Sequence, residues 1–135
     1  MPTAWTQNLA TGLRVIDAQH RQYFTRVARL QNACLLSKAE KEVEKALKFV
    51  IEYAEFHFAT EERMMDRYGY PEAATHKRRH ADFRKEVGRL SERFAKAGSA
   101  EMRVELCGFL VDWLRNHIPT FDQKLVNFLK SRSAG

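Results

Sequence analysis

Cysteine is scarce: Cys34 and Cys107 are the only two in 135 residues, and no CxxC spacing occurs. A disulfide framework and a thiolate metal site are therefore excluded as organising features, and both thiols are expected to be reduced and buried. No apolar run approaches the roughly 18 residues of a membrane span. The opening MPTAWTQNLA also lacks the basic start and apolar stretch of a secretory leader. These absences predict a cytoplasmic chain. Alternating strand-like runs, internal repeats, low-complexity tracts and linker-like segments are missing too. With 44% apolar side chains, the expectation is a single all-α domain over residues 1–135.

The net charge of +6, from 23 basic and 17 acidic residues, invites a nucleic-acid reading that the pattern does not support. The densest basic run, Lys77-Arg78-Arg79, lies between two histidines on a presumed helix, with acidic residues interspersed elsewhere. No stripe interleaves basic and aromatic side chains as single-strand binders require. A solvated helix face is expected instead, with no nucleic-acid partner.

Apolar periodicity near 3.6 predicts an up-down-up-down four-helix bundle over residues 17–130, after an irregular arm at 1–16 and before a frayed tail at 131–135. The arm carries Pro2, Trp5 and Thr11-Gly12, with Trp5 expected as a lid against the bundle. Asp17 is read as the cap of a first helix running to about Leu36, burying Ile16, His20, Tyr23 or Phe24, Val27, Leu30 and Cys34. Ser37 and Glu40 read as a capping box for a second helix that ends near Tyr68 at Gly69. Its inward ladder is Val43, Leu47, Val50, Ala54, His57, Glu61, Met64 and Tyr68, while Glu62 and Arg63 face solvent. Pro71 suits the first turn of a third helix, stopped by Ala97-Gly98, whose ladder is His76, His80, Phe83, Val87, Leu90 and Phe94. Ser99 can cap a fourth helix through Leu129, with Leu106, Leu110, Trp113, His117, Phe121, Leu125 and Phe128 inward.

Polar residues sit where these ladders call for apolar ones. Side chains four apart stack on one helix face, so His57 with Glu61 and His76 with His80 both point into the core. His20 and His117 join the ladders of the outer helices, which turns all five histidines of the chain inward. Buried imidazoles need partners, and a buried carboxylate without a cation costs several kcal/mol or stays protonated. Bound metal resolves all of these costs together. Asp122 follows His117 by five residues, leaving the two about 140° apart on an ideal helix. Pro119, which cannot donate to the Arg115 carbonyl, marks the place where a π-like or kinked turn would bring Asp122 inward.

This donor set is too large for one tetrahedral zinc and suits two octahedral ions. If Glu61 and Asp122 each bridge with both oxygens and one solvent-derived oxygen bridges as well, a single coordination position stays open. Imidazole with carboxylate suits iron, while manganese, cobalt or zinc could occupy such a site in vitro.

The segments IDAQH (16–20), HFATEE (57–62), the H-x-x-x-H of 76–80 and HIPTFD (117–122) together resemble the hemerythrin family, in particular its single-domain bacteriohemerythrins. The resemblance spans nearly the whole chain, including Trp5, Thr11-Gly12 and the GYP of 69–71. HFATE is not the zinc-protease H-E-x-x-H, because the glutamate follows the spacing rather than sitting inside it. The resemblance implies a six-coordinate iron on His76, His80 and His117 and a five-coordinate iron on His20 and His57, with Glu61, Asp122 and an oxo or hydroxo group bridging. It also implies that dioxygen binds end-on at the five-coordinate iron and is held as a hydroperoxide, reversibly.

Phe58, Trp113, Leu114 and Ile118, each one residue or one turn from a ligand histidine, are expected to wall an apolar dioxygen pocket or to serve as plain core. Tyr23 departs from the aliphatic residue that the resemblance leads one to expect three positions after His20. Its hydroxyl could bond the hydroperoxide, open a water path or turn to the surface. The leading functional reading is dioxygen carriage, storage or delivery to an oxygen-using enzyme, and not catalysis, with weak peroxidase or oxidase activity as a side reaction. The alternatives are a di-iron enzyme consuming peroxide, dioxygen or nitric oxide, and an oxygen sensor acting through a separate partner.

Overall fold

Helix ends and apolar faces together decide where the polar layer sits. The computed structural model describes residues 5–36, 38–96 and 98–134. Within them run α1 (Arg14–Leu35), α2 (Glu40–Tyr68), α3 (Ala73–Lys96), α4 (Ala100–His117), a π-helical turn (Ile118–Asp122) and α5 (Gln123–Ala134). Because α5 continues α4 across the π turn, the segments form four rods. Packing of α1 on α2 and α4, and of α3 on the same two, gives the expected up-down-up-down square. Among the described residues, no helix is long and apolar enough to cross a membrane.

Several boundaries follow local chemistry. Gly69 adopts φ 64° and donates its N–H to the Met65 carbonyl, ending α2 in the left-handed region that favours glycine. Ser99 Oγ accepts the Met102 N–H at 3.2 Å, the cap expected for α4. Ser37, half of the expected capping box, lies outside the described residues, as does Ala97 of the expected Ala97-Gly98 stop. Pro71 lies in the turn before α3, which begins at Ala73, two residues beyond it. The last helix continues to Ala134, into the residues expected as tail.

Asp17 does not cap α1, which starts earlier, after Leu13. Its carboxylate instead accepts the Thr11 N–H at 2.8 Å, the Thr11 hydroxyl at 2.8 Å and the Gly12 N–H at 3.2 Å. Gln123 adds a bond from its amide to the Thr11 carbonyl at 3.0 Å, so the arm is tied to α1 and α5 together. Gly12 takes φ 95°, and a Cβ there would lie 2.2 Å from Lys130 Nζ, so both backbone and space favour glycine. Trp5 packs half-buried on the core with the Arg21 guanidinium 4.2 Å above its ring. Within the Lys77–Arg79 run, Lys77 meets Asp66 at 2.7 Å and Arg79 meets Asp82 at 3.9 Å.

Two apolar clusters form the interior. The larger gathers Phe24, Val27, Leu30, Val50, Phe83, Leu90, Phe94, Leu106 and Leu110 with their neighbours; the smaller joins Met65, Tyr70 and Leu125. The ladder of α2 is therefore corrected at its end. Met65, four residues after Glu61, is buried, whereas Met64 is half-buried and Tyr68 exposed. Along α2 the order is Phe58, Glu61, Met65, and along α3 it is Ala73, His76, His80, Phe83. The histidine and carboxylate layer is thus sandwiched between the two clusters.

Asp17→Ala removes all three anchoring bonds of the arm at once. The expected loss is about 2–3 kcal/mol in a urea unfolding curve with unchanged slope. A change below about 0.5 kcal/mol, the scatter of ordinary surface substitutions, would contradict this anchoring role.

Candidate metal centre

Each rod delivers its polar residues to one level. His20 comes from the early turns of α1, His57 and Glu61 from the second half of α2, and His76 and His80 from the first turns of α3. His117 closes α4, and the π turn that follows carries Asp122. The Gln123 N–H bonds the Ile118 carbonyl five residues back, so the turn holds one extra residue and Asp122 arrives on the face of His117. Pro119 lies at the start of this turn and has no N–H to give an α-helical bond, while the Thr120 hydroxyl bonds the Asn116 carbonyl.

All seven side chains are buried, with His20, Glu61, His80, His117 and Asp122 at 0% exposure. Their inward atoms converge. Asp122 Oδ1 lies 3.0 Å from Nε2 of both His76 and His117, and Asp122 Oδ2 lies 2.8 Å from Nε2 of His20. Glu61 Oε1 lies 3.1 Å from Nε2 of His80, 3.5 Å from Nε2 of His57 and 3.6 Å from Nε2 of His76. Potential ligand atoms fall into two groups, each within 4.8 Å: Glu61, His76, His80, His117 and Asp122, and His20, His57, Glu61 and Asp122. Both carboxylates belong to both groups.

The outward nitrogens of two imidazoles fix which way their lone pairs point. Thr60 donates its hydroxyl to the Phe56 carbonyl at 3.1 Å, so toward Gln19 Nε2, 3.1 Å away, it accepts. The Gln19 amide oxygen must then face His57 Nδ1, at 2.7 Å, and that nitrogen donates. Nε2 of His57 is left as a bare lone pair, buried and without a hydrogen-bond partner in the described protein. Glu62 Oε2 likewise accepts from His80 Nδ1 at 2.8 Å. Glu62 is therefore half-buried rather than solvent-facing as expected. With this tautomer, Nε2 of His80 and Glu61 Oε1 are two acceptors facing each other, and a proton or cation between them is required. Glu61 Oε2 is a further buried oxygen without a partner. This donor chemistry fits metal.

Electrostatics point the same way. Burial, then the neighbouring Asp122, raises the Glu61 carboxyl well above its usual range in the metal-free chain. Burial opposes ionisation of Asp122 as well, but His117 and then His20 outweigh it and hold that carboxyl well below its usual range. Burial, reinforced by His76 and His117, pushes His80 down to about 2. Burial also lowers His117.

Two of the apolar residues expected near the site lie against its histidines. Phe58 stacks on His80 with ring centres 4.0 Å apart, and Trp113 stacks on His117 at 4.3 Å. Phe121 covers the opposite side of His117 at 5.2 Å. Leu114 and Ile118 are 2% exposed and belong, with Tyr23, Phe58 and Trp113, to the large cluster. Tyr23 is buried, not turned to the surface, and donates its hydroxyl to the Leu110 carbonyl at 2.9 Å. Gln19 and Glu62 escape sequence reasoning because each serves an imidazole on another helix rather than the histidine beside it in sequence.

A family model described as the hemerythrin HHE cation binding domain matches residues 11–129. The chain belongs to the hemerythrin family. It is 37% identical over 127 residues to the bacteriohemerythrin of Stenotrophomonas maltophilia, covering 94% of this chain and 81% of the relative. The bacteriohemerythrin of Methylococcus capsulatus is 33% identical over 88% of this chain and 90% of its own length. A crystal structure of wild-type hemerythrin superposes with a TM-score of 0.79 at 30% identity, covering 89% of this chain and 92% of that one. The hemerythrin fold thus accounts for the bundle, and the buried His, Glu and Asp cluster within it can hold metal.

Three outcomes follow from this hemerythrin geometry. Glu61, kept protonated by burial in the metal-free chain, favours the fold below its ordinary pKa of 4.5 and loses that contribution as pH rises. His80, kept neutral, contributes stability above its ordinary 6.5 that is lost as pH falls toward 2. A cation needs Glu61 ionised and His80 neutral, so loading should release a proton at neutral pH. The gap in Tm between loaded and empty protein should also widen from acid to neutral pH. A gap that narrows would contradict the assignment. Gln19→Leu frees the His57 tautomer and should weaken metal binding about 10–100-fold in a chelator competition; unchanged affinity would contradict the role given to Gln19.

Proposed function

We propose that this hemerythrin-family chain binds dioxygen reversibly at a non-haem di-iron centre, for carriage, storage or delivery to an oxygen-using enzyme. The observation that carries the reading is the partition of inward nitrogens into a group of three and a group of two that share both carboxylates. In this reading His76, His80 and His117 would hold one ion and His20 and His57 the other, with Glu61 and Asp122 common to both groups. Names of the relatives, bacteriohemerythrins and hemerythrin, support the same use.

When bound, two ferrous ions supply the electron pair that reversible dioxygen binding needs. The chain supplies the surroundings. Five neutral imidazoles and two carboxylates donate less negative charge than a carboxylate-rich site would, which favours return of the electrons over onward oxidation. Stacking of Phe58 on His80, and of Trp113 and Phe121 on His117, fixes ring orientation and excludes water from that side. Leu114 and Ile118 extend the apolar wall, and Tyr23 is held by Leu110 rather than offering its proton inward. A dry wall slows the protonation and hydrolysis that would release reduced oxygen.

The test is anaerobic reconstitution with ferrous iron, metal analysis and repeated oxygenation. Two irons per chain and a visible band that appears with oxygen and vanishes on purging, over many cycles, are expected. Loss of the band in the first cycle, or sustained turnover of added peroxide or nitric oxide, would favour an enzyme instead.

A further inference from the structure

Roughly 20 Å along α1 from His20, by helical rise, a second reactive feature spans the bundle. Cys34 on α1 and Cys107 on α4 are 73 residues apart in sequence, yet their Sγ atoms lie 3.8 Å apart. Both are free thiols; Cys107 is buried, while Cys34 is half-buried. Both line an open groove of about 610 Å³ whose walls include Arg103, Gly98 and Gly108. A pair of sulfurs in near contact, one reachable from a solvent-open groove, is more than packing requires. The residues involved are none of those in the metal layer.

We propose that Cys34 and Cys107 form a redox-active thiol pair that a hydroperoxide converts into a disulfide between α1 and α4. The groove admits the oxidant to the half-buried Cys34, and the buried Cys107 lies beside it. The sulfurs need to close from 3.8 Å to the S–S bond length of about 2.05 Å.

The two thiols divide the work. A hydrogen bond from Cys107, opposed by burial and aided by Arg103, brings the Cys34 thiol down to about 7. The same contact, together with burial, raises Cys107, which keeps its proton. Cys34 is therefore the nucleophile. Its thiolate attacks one peroxide oxygen, the O–O bond breaks, and the other oxygen leaves with a proton as water or alcohol, giving a sulfenic acid on Cys34. Cys107 sulfur then displaces that hydroxyl, the S–S bond forms, and the Cys107 proton departs with it as water. Two thiols lose two electrons and two protons, and one hydroperoxide is reduced.

The experiment treats the full chain, reduced and in air-free buffer, with one equivalent of hydrogen peroxide and follows intact mass. Expected is a loss of two hydrogens within a single chain, a peptide pair joining Cys34 to Cys107, and oxidation about five- to tenfold faster than glutathione at neutral pH. Cys34→Ser should abolish the change, and Cys107→Ser should leave a sulfenic acid on Cys34 that dimedone traps. The wild-type mass measurement stands without either variant. Both thiols still alkylated by iodoacetamide once the treated chain is unfolded, sulfinic acid on Cys34 beside an untouched Cys107, or a disulfide joining two chains would each overturn the proposal.

Discussion

His20, His57, Glu61, His76, His80, His117 and Asp122 share one layer withdrawn from water, and the rest of the bundle is arranged around the cost of keeping them there. A charge buried without compensation costs several kcal/mol, and a bare imidazole or carboxylate facing another acceptor costs more than one facing solvent. Among the described residues the protein does not remove that cost by itself: His57 Nε2 and Glu61 Oε2 find no partner, and His80 Nε2 faces Glu61. The apolar clusters on either side offset the penalty and hold the helices at one level while it persists. The same clusters exclude water, which strengthens every interaction made inside the layer.

Geometry is delivered by two devices. Stacking at i and i+4 brings pairs of donors from α2 and α3 to the layer with no distortion. The fourth rod carries a spacing of five, and there the π turn at Ile118–Asp122 supplies the extra residue. Neighbours then hold the donors still. Gln19 and Glu62 each commit the outward nitrogen of an imidazole, and aromatic rings lie flat on His80 and His117. Orientation is thus set before any ion arrives, which lowers the entropy lost on binding.

Most of the bundle was legible in the sequence because helical periodicity, the Gly69 stop and the Ser99 cap are local signals. So was the inward turn of His20, His57, His76, His80 and His117, since each continues an apolar ladder. The rewinding near Pro119 could be anticipated from the mismatch between the His117–Asp122 spacing and a straight helix. What escaped was tertiary. Asp17 reads as a cap until the arm folds back to place Thr11 and Gly12 on its carboxylate. Glu62 reads as solvated until α3 brings His80 alongside. Met65, rather than Met64 or Tyr68, joins the core because it packs with Tyr70 and with Leu125 of α5. The adjacency of Cys34 and Cys107 likewise depends on how α1 meets α4, which no spacing encodes.

Under the proposed function, the buried layer would take two ions, with Glu61 and Asp122 common to both. Anomalous diffraction at the iron edge, from crystals grown anaerobically with ferrous iron, tests it most directly. Two peaks inside the layer are expected, one bounded by His76, His80 and His117 and the other by His20 and His57, with Glu61 and Asp122 touching both. A single peak, or iron bound outside the layer while these residues stay as they are, would contradict it.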